Sequence, residues 1–212
     1  MAKYFMIFAM ITAFCLEMKA TTIEYSTQSG FQSAASSLTI IDFEDQNSGT
    51  VLTGNEYSHL GLTIQQRDGR AMNIVPRFAS TITNSGVRAI SSSWSASGSH
   101  TDAYTDNFDF IFSNPVYQAG LWIGDINGTE IQFLGVSDQI IASKWIPNGT
   151  PYIAFYGIIT DQQIKRIRTI EAANDGDGIS YDDIMFSSVP EPASVFSFLL
   201  AVLLLSLSCR KK

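Results

Sequence analysis

The segment NFDFIFS is the feature that most restricts what this chain can fold into. Phe108, Phe110 and Phe112 alternate with Asp109 and Ile111, so the three phenylalanines lie on one side of an extended chain. Further short β-rich runs are LTIIDFE, GLTI, GVRAI, AGLWIG, TEIQFLGV, QIIASKWI, YIAFYGI and DDIMFS, and turn-forming Asn-Gly and Asn-Pro pairs separate several of them. About ten strands at this spacing, without a long helix, predict an all-β fold built as an antiparallel β-sandwich.

The segment QIKRIRTIEA allows two interpretations. Ile164, Ile167 and Ile170 recur at the spacing of a helix. The shortness of the segment and its β-rich neighbours favour instead a turn that enters a strand.

Residues 21–189 have the size of a single β-rich domain. Both cysteines, Cys15 and Cys209, lie in the terminal segments, so the domain can form no disulfide of its own, and its stability must come from packing or a metal ion. From Thr21 to Val189 there are eight Lys and Arg against eighteen Asp and Glu, a net charge of 8 − 18 = −10. Such a surface predicts no nucleic-acid partner and is compatible with divalent cations and neutral glycans.

The first twenty residues have the pattern of a secretory signal peptide. Lys3 precedes an apolar stretch from Tyr4 to Leu16, and the small residue Ala20 follows. The segment Met18-Lys19-Ala20 is a poor cleavage site, so an uncleaved anchor is the alternative. Residues 1–20 are therefore predicted to direct export.

The other end of the chain is apolar and then basic. Ala193 to Ser208 is sixteen residues without a charge, and Arg210, Lys211 and Lys212 follow it. A helix of that length is about 24 Å long, slightly short of the bilayer hydrocarbon, and it is apolar on every face. We therefore predict one transmembrane helix with its basic end in the cytoplasm and the domain outside; a buried C-terminal helix is the alternative.

This tail resembles the PEP-CTERM sorting signal of bacteria that make extracellular polysaccharide. The motif is present as Pro190-Glu191-Pro192, followed by the apolar span and the basic cluster Arg210-Lys211-Lys212. The resemblance covers residues 190–212. It implies that an exosortase recognises the chain as a substrate, with the protein anchored in the inner membrane before processing and at the cell surface or in the extracellular matrix afterwards.

The domain itself resembles the jelly-roll domains that often precede such tails, and also carbohydrate-binding modules and MAM-type adhesion sandwiches. The segments that carry this resemblance are IDFED, FSNPVYQAGLWIGD and GISYDDIMF, in that order. The resemblance implies a jelly-roll-like sandwich in which the first and last strands lie together and share a structural calcium ion.

The acidic residues of those two strands offer a physical reason for calcium. If the strands pair, carboxylates converge near one sheet edge, and like charges so placed destabilise the sheet. A cation with oxygen ligands would remove that repulsion. The predicted ligands are Glu44 and Asp183 first, then Asp45 and Asp182. The alternative is that these carboxylates are separated and solvated.

No catalytic motif stands out. The two histidines, His59 and His100, do not have metal-binding spacing, and Gly-x-Ser-x-Gly is absent. A glycosidase needs only two carboxylic acids, which could meet from distant strands, so a glycan-active hydrolase is kept as the weakest alternative. We predict that the protein is not an enzyme.

The Ser-rich segment SSSWSASGSH and the residues after it favour glycan binding. Trp94 and Tyr104 lie there among small polar residues, and sugars stack their C–H faces on aromatic rings. Partial burial is the alternative for Trp94, and Trp145 could be either a core or a surface residue. The sequence thus predicts an exported, surface-sorted binding or matrix protein associated with extracellular polysaccharide or cell-envelope glycan. The second candidate is a structural or adhesive protein that binds another protein.

Overall fold

Strands dominate this computed structural model, which describes residues 20–76, 84–93, 106–124, 128–147, 153–171 and 179–188. They are β1 (Thr22–Tyr25), β2 (Thr39–Ile41), β3 (Val51–Leu52), β4 (Leu62–Gln66), β5 (Met72–Pro76), β6 (Arg88–Ser91), β7 (Phe108–Gly124), β8 (Thr129–Gly135), β9 (Ile140–Ile146), β10 (Ile153–Glu171) and β11 (Ser180–Ser187). Every strand pair in these ranges is antiparallel. The predicted all-β, antiparallel class is therefore confirmed.

Two long strands organise the fold, because β7 and β10 each belong to both layers. The first half of β7 pairs with β4 and the end of β10, and its second half pairs with β11 and the beginning of β10. Sheet I has the strand order β4-β7-β10-β8-β9. Sheet II has the order β3-β5-β6-β11-β7-β10-β1, and β2 also pairs with β11. The acidic segments IDFED and GISYDDIMF thus meet, since Ile41 of β2 lies opposite Ile184 of β11.

The hydrophobic core lies between the two sheets. Phe108, Phe110 and Phe112 are all fully buried in it, as their alternation predicts. Tyr181 of β11 packs edge-on against Phe108 and Phe110, with ring centroids 5.4 and 5.7 Å apart. Full burial of one such side chain contributes about 1.5–3 kcal/mol, so this alternation fixes which side of sheet I faces inward.

The segment QIKRIRTIEA lies within β10 up to Glu171, so the prediction of a turn there is wrong. The register shifts between Ile164 and Arg166, against both β7 and β8. A bulge of this kind adds one residue to a strand, so two core-facing residues can be three apart instead of two. Ile164 and Ile167 are both fully buried for this reason, and their spacing imitates a helix.

A short helix, α1 (Gln28–Ala34), covers part of the outer side of sheet II and was not expected from the sequence. Its Phe31 is fully buried and packs at 5.6 Å from the ring of Phe155. Two glycines opposite each other, Gly120 and Gly157, make room for these rings. A Cβ atom on Gly120 would come within 2.8 Å of the Phe155 ring, so a larger residue there would displace that ring and, with it, the support of α1.

The predictions for both ends of the chain fall outside the described residues. They concern the signal segment up to Lys19 and the sorting signal with Pro190, Glu191, Pro192, Arg210, Lys211 and Lys212. Within the described ranges, no helix has the length and apolar character needed to cross a bilayer.

Candidate functional site

The outer side of sheet I carries a continuous set of polar side chains. Because Phe108 and its alternating partners face the core, the residues between them and their neighbours across the sheet face outward. One row crosses five strands as Gln65, Asp109, Arg168, Gln132 and Ser143. A second row holds Ile170, Glu130 and Trp145. We call this surface, together with Arg67 and Arg166, whose side chains also reach Asp109, the polar face.

Asp109 is the centre of the polar face, and its side chain is only 3% exposed. Arg168 donates to it from Nε and from Nη2, both at 2.8 Å. Arg166 places Nη1 3.2 Å from Oδ2, and Arg67 places Nε 3.7 Å from Oδ1. Arg166 also contacts Asp138, in the turn after β8, at 2.6 Å. One buried carboxylate therefore fixes three guanidinium groups.

This arrangement turns hydrogen-bond donors toward solvent. The side chains of Arg67, Arg166 and Arg168 are 28%, 19% and 26% exposed, whereas Asp109 lies beneath them. The hydrogen bond with Asp109 raises the pKa of Arg168, so this guanidinium stays charged at any ordinary pH. A molecule that lands on the polar face meets fixed N–H groups.

Trp145 lies at one end of the polar face, on the edge strand β9. It is opposite Glu130, and its side chain is 51% exposed. Glu130 in turn accepts a hydrogen bond from Gln132 at 3.0 Å, which holds both side chains in place. Beside Trp145, a shallow groove continues toward the start of β10 and Tyr156. The surface therefore joins an exposed aromatic ring to a row of polar groups.

A second polar cluster lies where β11 meets the segment before β6. Asp182 and Asp183 are 1% and 2% exposed, and Asp183 has a left-handed backbone with φ of 45° at an irregularity in the β11–β7 register. Asp182 accepts hydrogen bonds from the backbone N–H groups of Asn84 and Ser85 at 2.9 and 3.1 Å. Asp183 accepts from the side chains of the same two residues, both at 2.6 Å. The two carboxylates thus hold this segment against β11.

The other two predicted calcium ligands have different partners. Glu44 accepts hydrogen bonds from the backbone N–H groups of Val87 and Arg88, both at 2.7 Å, and Asp45 accepts one from the Tyr57 hydroxyl at 2.7 Å. The described part of the chain contains no group of three or more His, Cys, Asp and Glu side chains placed to hold a metal ion. The calcium site at Glu44, Asp45, Asp182 and Asp183 stays a prediction.

The buried acid pair predicts a dependence of stability on pH. Burial, followed by the negative charge of Asp183, raises the pKa of Asp182 to about 8, although three backbone N–H groups act in the opposite direction. A folded-state pKa above the unfolded value means that the native state binds the proton more tightly. Stability from this group is therefore full below about pH 4 and is lost as pH rises toward 8, by at most about 1.4 kcal/mol per pH unit.

We expect Asp182→Asn, which cannot ionise, to gain stability relative to the wild type across that range and to gain nothing further above pH 8. Chemical denaturation of both proteins at several pH values, with chelator present, measures the difference. A difference that does not change with pH would contradict the raised pKa of Asp182.

The predicted glycan-binding residues Trp94 and Tyr104 lie outside the described residues. The chain on either side of them is described: Ser93, just before Trp94, is bonded to Asp106 through both its backbone N–H and its hydroxyl. The two ends of the segment 94–105 are therefore joined at the fully buried Asp106. The role of Trp94 and Tyr104 in glycan binding stays a prediction.

Sequence reasoning missed the polar face. The sequence does not decide whether Trp145 is a core or a surface residue, and the arginines of β10 lie in the segment with helical spacing. The one available signal is the alternation of NFDFIFS, which places Asp109 on the outer face, where a cation on the next strand would be a favourable cross-strand partner.

No family model and no curated protein sequence matches the chain. Among solved structures, it is similar to the K2 cleaved adhesin domain of Lys-gingipain, at 12% identity and a TM-score of 0.45 over 72% of this chain and 99% of that one. It is also similar to the family 29 carbohydrate-binding module CBM29-2, at 12% identity and a TM-score of 0.42 over 73% of this chain and 93% of that one. A third similar structure is TmCBM61 in complex with β-1,4-galactotriose, at 13% identity and a TM-score of 0.38 over 68% of this chain and all of that one. Likeness at this distance does not indicate a ligand for this chain.

Proposed function

We propose that this chain is a non-catalytic glycan-binding protein and that the polar face is its binding site. The observation that carries the proposal is the presence, on one accessible sheet surface, of the exposed Trp145 ring and three fixed guanidinium groups. A sheet surface held by a packed core keeps these groups in one geometry, which lowers the entropy lost on binding.

The chemistry of the polar face matches that of a sugar chain. A pyranose ring has an apolar C–H face that can stack on Trp145, and its hydroxyl and ring oxygens can accept hydrogen bonds from arginine. Glu130 and Gln132 can accept from sugar hydroxyls. Neighbouring strands are about 4.8 Å apart, so the five strands of sheet I offer a surface about 19 Å across, enough for several sugar units.

The geometry favours binding over hydrolysis at this surface. A glycosidase needs two carboxyl groups that can reach the scissile bond. Asp109 is bound at both oxygens by Arg168 and lies beneath the guanidinium layer, so its oxygens are not free to reach a scissile bond. Glu130 is then the one remaining carboxyl group in the rows that form the described polar face.

Export and sorting complete the proposal. The signal segment 1–20 and the Pro190-Glu191-Pro192 tail support an exported protein that an exosortase processes. The apolar run Ala193 to Ser208 would hold it in the inner membrane until then. The domain would afterwards present its polar face to extracellular polysaccharide or cell-envelope glycan.

Replacing Trp145 with alanine tests the proposed site. We expect glycan affinity to fall by about 1–3 kcal/mol, as for other exposed aromatic anchors. The melting temperature should change little, because the ring is already 51% exposed. Titration calorimetry against a panel of polysaccharides, with a thermal scan of each protein, makes the measurement.

Ile140→Ala is the matched control, since Ile140 is 57% exposed on the same strand but belongs to neither row of the polar face. It should leave both affinity and melting temperature as they are. A wild-type protein that binds no glycan in the panel overturns the proposed function. Binding that survives Trp145→Ala unchanged moves the site elsewhere, and Trp94 is then the next residue to replace.

A further inference from the structure

Positive charge is concentrated on the polar face of an otherwise acidic domain. Residues 21–189 contain only eight Lys and Arg against eighteen Asp and Glu. Three of those eight cations, Arg67, Arg166 and Arg168, converge on the single carboxylate of Asp109. The site around Asp109 therefore differs in charge from the rest of the acidic domain surface.

The charges at this centre do not cancel. Asp109 and Asp138 supply two negative charges against three positive ones, which leaves 3 − 2 = +1. Asp138 is also 63% exposed, so solvent screens its contribution more than that of Asp109. Glu130, the remaining carboxylate in the face, belongs to the row that contains Trp145 and is bonded to Gln132. With Glu130 the polar face as a whole is neutral, 3 − 3 = 0, and its charges are divided between a positive centre and a separate acidic and aromatic end.

Donors remain available at the positive centre. Arg168 uses Nε and Nη2 for Asp109, and Arg67 uses Nη2 for the carbonyl oxygen of Thr169 at 2.9 Å. Within the described ranges, the Nη1 group of neither arginine has a hydrogen-bond partner. Guanidinium N–H groups can bind a carboxylate with two parallel hydrogen bonds, because their planar geometry matches its two oxygens.

We propose that the polar face selects glycans that carry carboxylate groups, with a sugar carboxylate at the Nη1 groups of Arg67 and Arg168 and a sugar ring further along the same glycan on Trp145. This inference rests on the proposed glycan-binding function and names its ligand class. The strong negative charge elsewhere in the domain does not prevent it, since charges more than about 8 Å away are largely screened at physiological salt. An acidic glycan should therefore bind at the polar face and be repelled by the acidic remainder of the domain surface.

The experiment compares acidic glycans with their uncharged esters. Polygalacturonate and alginate are each titrated against the full chain in detergent, beside the methyl-esterified form of the same polymer and a panel of neutral polysaccharides. Chelator is present throughout, so that calcium cannot bridge the acidic domain to the glycan. We expect the free acids to bind, the methyl esters to bind at least ~10-fold more weakly, and the affinity to fall ~10-fold between about 50 and 500 mM salt.

Arg67→Gln is the informative variant, because its 3.7 Å contact is the longest of the three to Asp109. A thermal scan beside the titration checks that loss of its bond to the Thr169 carbonyl oxygen leaves the domain folded. The variant should lower the affinity for the free acids about 10-fold and leave that for the esters unchanged. Arg88→Gln is the matched control: Arg88 is 27% exposed and paired with Glu44, away from the polar face, so it should have no effect on binding.

Each outcome decides something. Equal binding of acids and esters, or binding of neutral polysaccharides alone, overturns the carboxylate preference and leaves the glycan-binding function standing. Binding of acids that Arg67→Gln and Arg88→Gln weaken equally contradicts recognition at this centre. Binding of no glycan of either kind overturns the proposed function as well.

Discussion

Asp106→Ala will lower the free energy of unfolding by about 3–5 kcal/mol, a large part of the stability of a domain of this size. The Asp106 carboxylate is fully buried and accepts hydrogen bonds from the hydroxyls of Ser91, Ser92 and Ser93 and from the backbone N–H groups of Ser92, Ser93 and Ile179. Burial raises the pKa of Asp106, and the donors act against that rise. Alanine removes the acceptor that these buried donors share, and each donor that finds no other partner costs about 1–3 kcal/mol before the structure relaxes.

Urea denaturation of the wild type, Asp106→Ala and Asp106→Asn measures this effect. Asparagine keeps one acceptor oxygen in nearly the same place, so it should recover a substantial part of the loss. Asp161→Ala is the control, because its bond to the backbone N–H of Thr21 is at the surface and should be worth less than about 0.5 kcal/mol. A destabilisation by Asp106→Ala no larger than that of Asp161→Ala would contradict the structural role of this carboxylate.

Asp109→Ala is expected to be as damaging for a different reason. It removes the one buried anion that three arginines share, and an uncompensated, partly buried cation typically costs about 3–5 kcal/mol. The double variant Asp109→Leu with Arg168→Met should be more stable than Asp109→Ala alone, because it replaces the buried pair with apolar side chains of similar size.

The control for this series is Asp138→Ala, which removes an exposed partner of the same network. It should cost less than about 1 kcal/mol, as surface ion pairs do. Thermal scans of the four proteins give the order directly. If Asp109→Ala and Asp138→Ala were equally mild, the arginines would be held by solvent and backbone rather than by Asp109, and the polar face would lack the fixed geometry on which glycan binding depends.

The alternation of NFDFIFS was enough to predict the strand and its core face, and about ten β-rich runs separated by turn signals predicted the class of the fold. The arginines of β10 were not predictable in the same way, because the irregularity near Ile164 and Arg166 breaks the period of two. Considered alone, the segment QIKRIRTIEA has isoleucines at the spacing of a helix, although its pairing with β7 and β8 makes it a strand. Long-range pairing overrides local periodicity here.

The candidate binding site was predictable only in its chemistry. The sequence indicated an aromatic residue beside polar groups and predicted Trp94, which lies outside the described residues and stays a prediction. Within the described residues, a surface of this character is built around Trp145. Sequence alone could not decide whether Trp145 is buried, because that depends on β9 being an edge strand, which only the sheet order reveals. The acidic pair Asp182 and Asp183 was correctly placed on a strand beside β2, yet its partners, Asn84 and Ser85, are distant in sequence.

The position of β11 has a mechanical consequence. This strand is buried along its whole length, with β7 on one side and β6 and β2 on the other. If Ser188 leads to a surface tether and a polymer pulls on sheet I, tension enters the domain along the axis of β11. Hydrogen bonds to strands on both sides then resist sliding together instead of opening one after another. The domain would then transmit a pulling force from the bound polymer to the tether with little extension. A protein that links a cell to an extracellular polymer needs this resistance to unfolding under force.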